Sequence, residues 1–243
     1  MATEEIIFCP ANPGEIAMPI IERKRDTLHQ ITLEEAGLAP GELLFADPEG
    51  SLWRYTHRGA VVPWLPYTRL HAMLGRSVTR GYTDWRVRQI TGLGVSEDLS
   101  RVCITDEELG LIELELDERG VAIEATHLEE RAGLTACAHD SSGAVITADE
   151  QGVLYRDGAE IAATGRPRID ALVRTDRGWL ATGEQGMTCF DEDFEVIRHR
   201  AEIKGAGVGP DGLVFTIEEG GAMFVQELEP LCRQDSYPRQ PFF

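Results

Sequence analysis

Short apolar runs of four to six residues alternate with tight polar turns along most of this chain, and the alternation itself repeats. LTACAH (134–139) meets the turn DSSG, AVITA (144–148) meets DEQG, and VLYR (153–156) passes through DG into AEIAA (159–163). The same order recurs in residues 169–193 and 204–228, and more loosely in 93–120. In each copy a second apolar run ends in Thr before an acidic, glycine-containing turn. That Thr falls at Thr105, Thr147, Thr182 and Thr216, in steps of 42, 35 and 34 residues. The first-turn glycine falls at Gly143, Gly178 and Gly212. Apolar residues alternating with small or polar ones predict strands, and the glycines stand where a short hairpin needs a positive φ.

Strand-only self-similarity with a period of about 35 residues predicts a β-propeller, each copy being one four-stranded blade. Residues 40–59 carry the same grammar, with Gly41 in the first turn, LLFA as second strand, DPEG as the acidic turn and SLWRY as third strand. Residues 6–21, IIFCPANPGEIAMPII, read as a degenerate first blade with NPG as its turn. Counting that segment gives six blades, the favoured number; leaving it out gives five. Closure by the two chain ends would tie residues 4–9 to the last blade. The repeat resembles β-propeller repeat proteins in general over most of the chain. It lacks a Trp-Asp dipeptide at strand ends, a kelch double glycine and an Asp-box, so the resemblance implies an all-β single propeller over residues 1–243 and no particular family.

Three segments depart from the pattern. Residues 60–91 read as an insertion that lengthens one blade-to-blade step, residues 22–36 as a short helix or loop, and residues 234–243 as an extended, non-repeating tail.

At 243 residues with 42% hydrophobic content, the chain suits one large all-β domain. No apolar stretch approaches the ~18 residues of a membrane helix, and the N-terminus lacks the basic start and apolar core of a secretory signal. The expected location is therefore the cytoplasm. Five scattered cysteines without a CxxC pair are expected to be reduced and mostly buried. A net charge of −19 disfavours nucleic acid and anionic membrane as partners.

Acids occupy every second-to-third-strand turn: Asp47 and Glu49; Asp106, Glu107 and Glu108; Asp149 and Glu150; Glu184; Glu218 and Glu219. In a propeller these turns emerge on one face, so the carboxylates should ring one surface. Oxygen ligands suit Ca²⁺ or Mg²⁺, which makes Asp106, Asp149, Glu150, Glu184 and Glu218 the candidate metal ligands. Asp and Glu beside Gly are equally ordinary turn residues, and the expectation is no obligatory cofactor. The insertion offers the contrasting chemistry. It holds Arg69, Arg76, Arg80, Arg86 and Arg88 against one acid, Asp84, interleaved with Trp64, Tyr67, Tyr82 and Trp85. Trp, Tyr and Arg dominate interface hot spots, so Trp64, Tyr67, Arg69, Arg80, Tyr82, Trp85, Arg86 and Arg88 are the candidate partner-binding residues. Covering one side of the propeller is the competing use.

The six histidines show no HxH or HExxH spacing, no GxSxG elbow is present, and the glycine runs at 92–94 and 205–209 lead into strands rather than helices. The sequence therefore points first to a non-enzymatic scaffold or accessory subunit that binds another protein or a protein complex. A metal-dependent hydrolase or lactonase-like enzyme, using the acidic face, is the alternative. A sugar- or ligand-binding propeller needs matching aromatics at matching blade positions, and Trp53, Tyr155, Cys189 and Phe224 do not match.

Overall fold

The computed structural model describes residues 7–9, 18–20, 37–40, 42–47, 50–56, 58–76, 90–165, 168–208, 214–226 and 240–241. They form a five-bladed β-propeller. Blade I holds β3 (Leu43–Ala46), β4 (Leu52–Tyr55) and β5 (Val61–Leu65). Blade II holds β6 (Ile90–Val95), β7 (Arg101–Asp106), β8 (Gly110–Leu116) and β9 (Ala122–Glu129). Blade III holds β10 (Leu134–His139), β11 (Val145–Asp149), β12 (Val153–Arg156) and β13 (Ala159–Ala163). Blade IV holds β14 (Ile169–Thr175), β15 (Gly178–Gly183), β16 (Gly186–Phe190) and β17 (Val196–Arg200). Blade V holds β18 (Ile203–Val208), β19 (Val214–Glu218), β20 (Met223–Gln226) and β21 (Gln240–Pro241). Each sheet runs antiparallel in chain order, and the inner strands β6, β10, β14 and β18 lie side by side.

The favoured count of six blades is corrected to five. The segment expected to form an extra blade supplies only a two-stranded sheet, β1 (Ile7–Cys9) with β2 (Met18–Ile20). Sixteen residues are too few for a blade that elsewhere takes about 35. Closure by the N-terminus is corrected as well: the outermost strand of blade V is β21, from the chain's own tail, while β1 pairs with β2. The segment read as an insertion opens with β5, the outermost strand of blade I, continues as α1 (Tyr67–Met73) and ends in the first residues of β6. Residues 22–36 lie outside the described residues.

Strands toward the middle of blades III and IV are buried on both faces, because blades stack sheet against sheet, whereas the inner strands β6 and β14 are only partly buried. All residues of β10, β11, β15 and β16 are buried, whereas β13 and β17 are largely exposed. The repeating Thr105, Thr147, Thr182 and Thr216 are therefore buried between blades rather than turned to water. Small residues on the inner strands allow the close approach. A Cβ on Gly92 would lie 2.7 Å from the Ala136 Cα of the next blade, and one on Gly94 would lie 2.7 Å from Ala138 Cα. Between blades I and II, Leu52, Leu65, Leu70, Val102, Ile104, Ile112 and Leu114 form one core; between III and IV, Ile146, Leu154, Leu172, Trp179 and Phe190 form another.

The inner strands are also clasped by a shared bulge. Each of β6, β10, β14 and β18 carries one extra residue at its second position, namely Thr91, Thr135, Asp170 and Lys204. A bulge re-aims its side chain. Thr91 donates to the Leu134 carbonyl at 2.7 Å, and Thr135 donates to the Ile169 carbonyl, so each hydroxyl ties one inner strand to the next. At the next two positions the residue types change: Asp170 accepts from Arg168 Nε at 2.8 Å, and Lys204 donates to the Glu184 carbonyl at 2.9 Å.

Candidate functional site

One turn design explains where the acids go. In Asp140–Gly143 and Asp149–Gly152 the glycine N–H donates to the Asp carbonyl at 3.0 Å, while the Asp Oδ1 accepts from the N–H groups two and four residues on. Gly143 and Gly152 take φ of 84° and 75°, which a side chain would strain. Asp191 makes the same two side-chain bonds, but the fourth position is Phe194, held at φ 62°. Its ring stacks on Trp179 at 5.3 Å, which offsets the backbone strain.

At the acidic face the aspartates hold backbone, while Glu150 and Glu184 are exposed. Asp149 Oδ1 accepts from the Gln151 and Val153 N–H groups, both at 2.9 Å, and Oδ2 accepts from the Tyr155 hydroxyl at 2.7 Å. That bond, then burial, raises the Tyr155 pKa. Asp47 repeats the arrangement, Oδ1 accepting from Ser51 N–H and Oδ2 from Trp53 Nε1 at 2.8 Å. Asp106 accepts from the Glu108 and Leu109 N–H groups at 2.9 Å, but the residue six positions on is Ile112, so its buried Oδ2 has no hydrogen-bond partner. Burial raises the Asp106 pKa, with Glu108 and Glu107 adding to the rise.

Among the candidate metal ligands, Glu150 and Glu184 are exposed, Glu218 is half-buried, and Asp106 and Asp149 are buried. Register places Asp106, Asp149 and Glu218 opposite Ile90, Leu134 and Ile203, the first residues of three inner strands, so these acids share one end of the blades. Among the described residues no group of three or more His, Cys, Asp or Glu side chains is arranged to hold a metal ion. Glu49 lies outside the described residues.

The described part of the basic, aromatic segment packs onto the propeller. Trp64 is half-buried against the blade I–II core and donates from Nε1 to the Gly120 carbonyl of blade II at 3.1 Å. Helix α1 drives Leu70 into the same core and lays Tyr67 on His71, ring centroids 4.1 Å apart. Burial raises the Tyr67 pKa, helped by Asp106 and Glu108, and burial lowers that of His71, helped by Arg76. Arg69 lies half-buried on the same helix. Arg80, Tyr82, Trp85, Arg86 and Arg88 lie outside the described residues. No helix among the described residues is long and apolar enough to cross a membrane.

Sequence reasoning found the outer strand AEIAA, which is β13, but did not single out the apolar residues exposed on the outer strands. Ile123, Leu128, Ile161, Val196 and Ile197 are exposed on β9, β13 and β17, and Leu43 and Tyr55, paired across β3 and β4, are exposed on blade I. The available signal was weak: isolated aliphatic residues in short strands that also carry charged residues.

No known family model matches the chain, and no curated protein matches it in sequence. Among solved structures, one chain in the crystal structure of a nidogen–laminin complex matches with a TM-score of 0.55 at 10% identity, over 80% of this chain and 74% of that one. BamB from Moraxella catarrhalis matches with a TM-score of 0.45 at 19% identity, over 79% of this chain and 57% of that one. The first likeness speaks for the fold alone, and the second is too loose to support any argument.

Proposed function

We propose that this propeller is a protein-interaction scaffold, an accessory subunit of a larger complex. The observation that carries the reading is the set of large aliphatic side chains left exposed on three successive outer strands and on blade I, set in a surface dominated by acids. Large apolar side chains exposed on neighbouring blades are available for a partner to cover. The stacked blades provide the rigid base on which such a surface keeps its shape. The solved chain matched above comes from a complex of two proteins, which agrees with this use of the fold.

The test is the native mass of the protein, purified gently from its source at low and moderate salt. A stoichiometric second protein co-migrating with the 26.9 kDa chain supports the reading. A monomer under every such condition overturns it.

A further inference from the structure

The outer strands share a device that the inner ones use differently. In β9 the register against β8 skips Ile123 and Leu128; in β13 it skips Ile161; in β17 it skips Ile197. Each skipped residue is a large aliphatic, and each is exposed: Ile123 by 60%, Leu128 by 46%, Ile161 by 37% and Ile197 by 50%. A bulged residue is freed from the ladder and aimed away from its neighbours' faces. In blades II, III and IV the skipped residue is an exposed aliphatic, and on β17 the in-register neighbour Val196 is exposed beside it. Blade I provides the internal comparison, because its outer pairing skips Trp64. There the bulged side chain folds back onto the core and bonds Gly120, joining blade I to blade II. The other four have no comparable cover.

We infer that the rim formed by Ile123, Leu128, Ile161 and Ile197 is the docking surface, and that its partner is a protein presenting aliphatic side chains among lysines and arginines. The inference rests on the scaffold reading above and names its surface. Charge complementarity selects the partner. Exposed Glu124 and Glu130 flank the apolar residues of β9, Glu160 lies beside Ile161, and Glu195 precedes β17, where Arg198 follows Ile197. Acids outnumber bases around β9 and β13, within a chain of −19. Such a rim steers basic surfaces in and repels acidic ones. Bulges also discourage pairing at a sheet edge, so contact is by side chains rather than by an added strand.

The probe is a synthetic alternating Leu-Lys peptide, titrated calorimetrically at fixed ionic strength. A Ser-Lys peptide of equal length and charge is the control, and phosphatidylcholine vesicles are a third ligand. The Leu-Lys peptide should bind saturably and at least tenfold more tightly than Ser-Lys. The variant Ile123→Ser/Leu128→Ser/Ile161→Ser/Ile197→Ser keeps every charge and should weaken Leu-Lys binding at least tenfold with an unchanged circular dichroism spectrum. Should it fail to fold, the pairs Ile123→Ser/Leu128→Ser and Ile161→Ser/Ile197→Ser carry the same test. Equal binding of both peptides, or of variant and wild type, overturns the rim. Vesicle binding that the variant loses reassigns it to lipid, and wild-type dimerisation that the variant loses reassigns it to a second copy; either overturns the inference. Expressed in the source, the variant should lose the native complex. A complex that survives overturns the rim and leaves the scaffold reading standing, whereas the scaffold reading itself falls only if wild type has no complex.

Discussion

Asp106 and Asp149 occupy the same turn position yet should respond in opposite directions to substitution by asparagine. In Asp149→Asn the backbone bonds to Oδ1 can persist, but the bond from the Tyr155 hydroxyl loses its charge assistance. Hydrogen bonds to charged groups contribute about 1.5–3 kcal/mol against about 0.5–1.5 for neutral ones, so the loss is about 1 kcal/mol at pH 7. In a domain of this size that lowers Tm by about 2–4 °C. In Asp106→Asn the two backbone bonds also persist, and what disappears is an ionised Oδ2 that is wholly buried and unpartnered. An unsatisfied buried polar group costs about 1–3 kcal/mol, more when charged. The amide leaves part of that cost, so a gain of about 1 kcal/mol is expected. The pH dependence separates the cause. The Asp106 carboxyl has a folded pKa raised above its ordinary 3.8, mainly by burial. Its contribution is harmless while it stays protonated and becomes destabilising as pH rises from the unfolded value through the folded one. The Tm difference between Asp106→Asn and wild type should thus be small at the acid end, grow through that window, and then level off. Thermal unfolding followed by circular dichroism between pH 3 and 8 measures it. If Asp106→Asn destabilises at pH 7 as much as Asp149→Asn, the account of the unpartnered oxygen is wrong.

Three further outcomes are expected. Thr135→Val keeps shape but leaves the Ile169 carbonyl without its hydroxyl donor, so it should cost about 1–2 kcal/mol in urea unfolding; no change would remove the clasp between blades III and IV from the account. Phe194→Ala loses the stack on Trp179 while keeping the positive φ, so it should destabilise more than Phe194→Gly, which at least relieves the backbone; equal losses would mean that strain plays no part. Because Asp149 is already fully bonded and the exposed Glu150 and Glu184 both lie near the Arg168 guanidinium, CaCl₂ should raise Tm no more than NaCl at equal ionic strength, whereas a saturable rise abolished by Glu150→Gln/Glu184→Gln would restore the acidic face as a cation site.

Much of the blade was legible before the structure, because its signals are local. The Thr at the end of each second strand, the Asp-x-x-Gly turns and the apolar runs each arise within about ten residues. The acidic face was legible in position but not in chemistry: whether an aspartate is spent on backbone depends on N–H groups two and four residues away and on the residue six positions on. Trp53 and Tyr155 satisfy that last requirement and Ile112 does not, a difference with meaning only once the turn geometry is known. The basic, aromatic segment looked like an interface from its composition, yet Trp64 and Leu70 face the core, since composition does not state which way a side chain points.

Taken alone, the amino-acid order determined an all-β repeat of about 35 residues, its turns and its buried thiols, since hydrophobic alternation and glycine conformation act between near neighbours. Tertiary structure decided the rest: five blades instead of six, the strands at the middle of blades III and IV buried on both faces, hydroxyl clasps between inner strands, and aliphatic residues exposed on the outer strands. Those features depend on where one sheet stacks on the next and where a strand gains an extra residue. A bulge shifts register by one position, which redirects a side chain without altering the apolar pattern that a sequence reader can see.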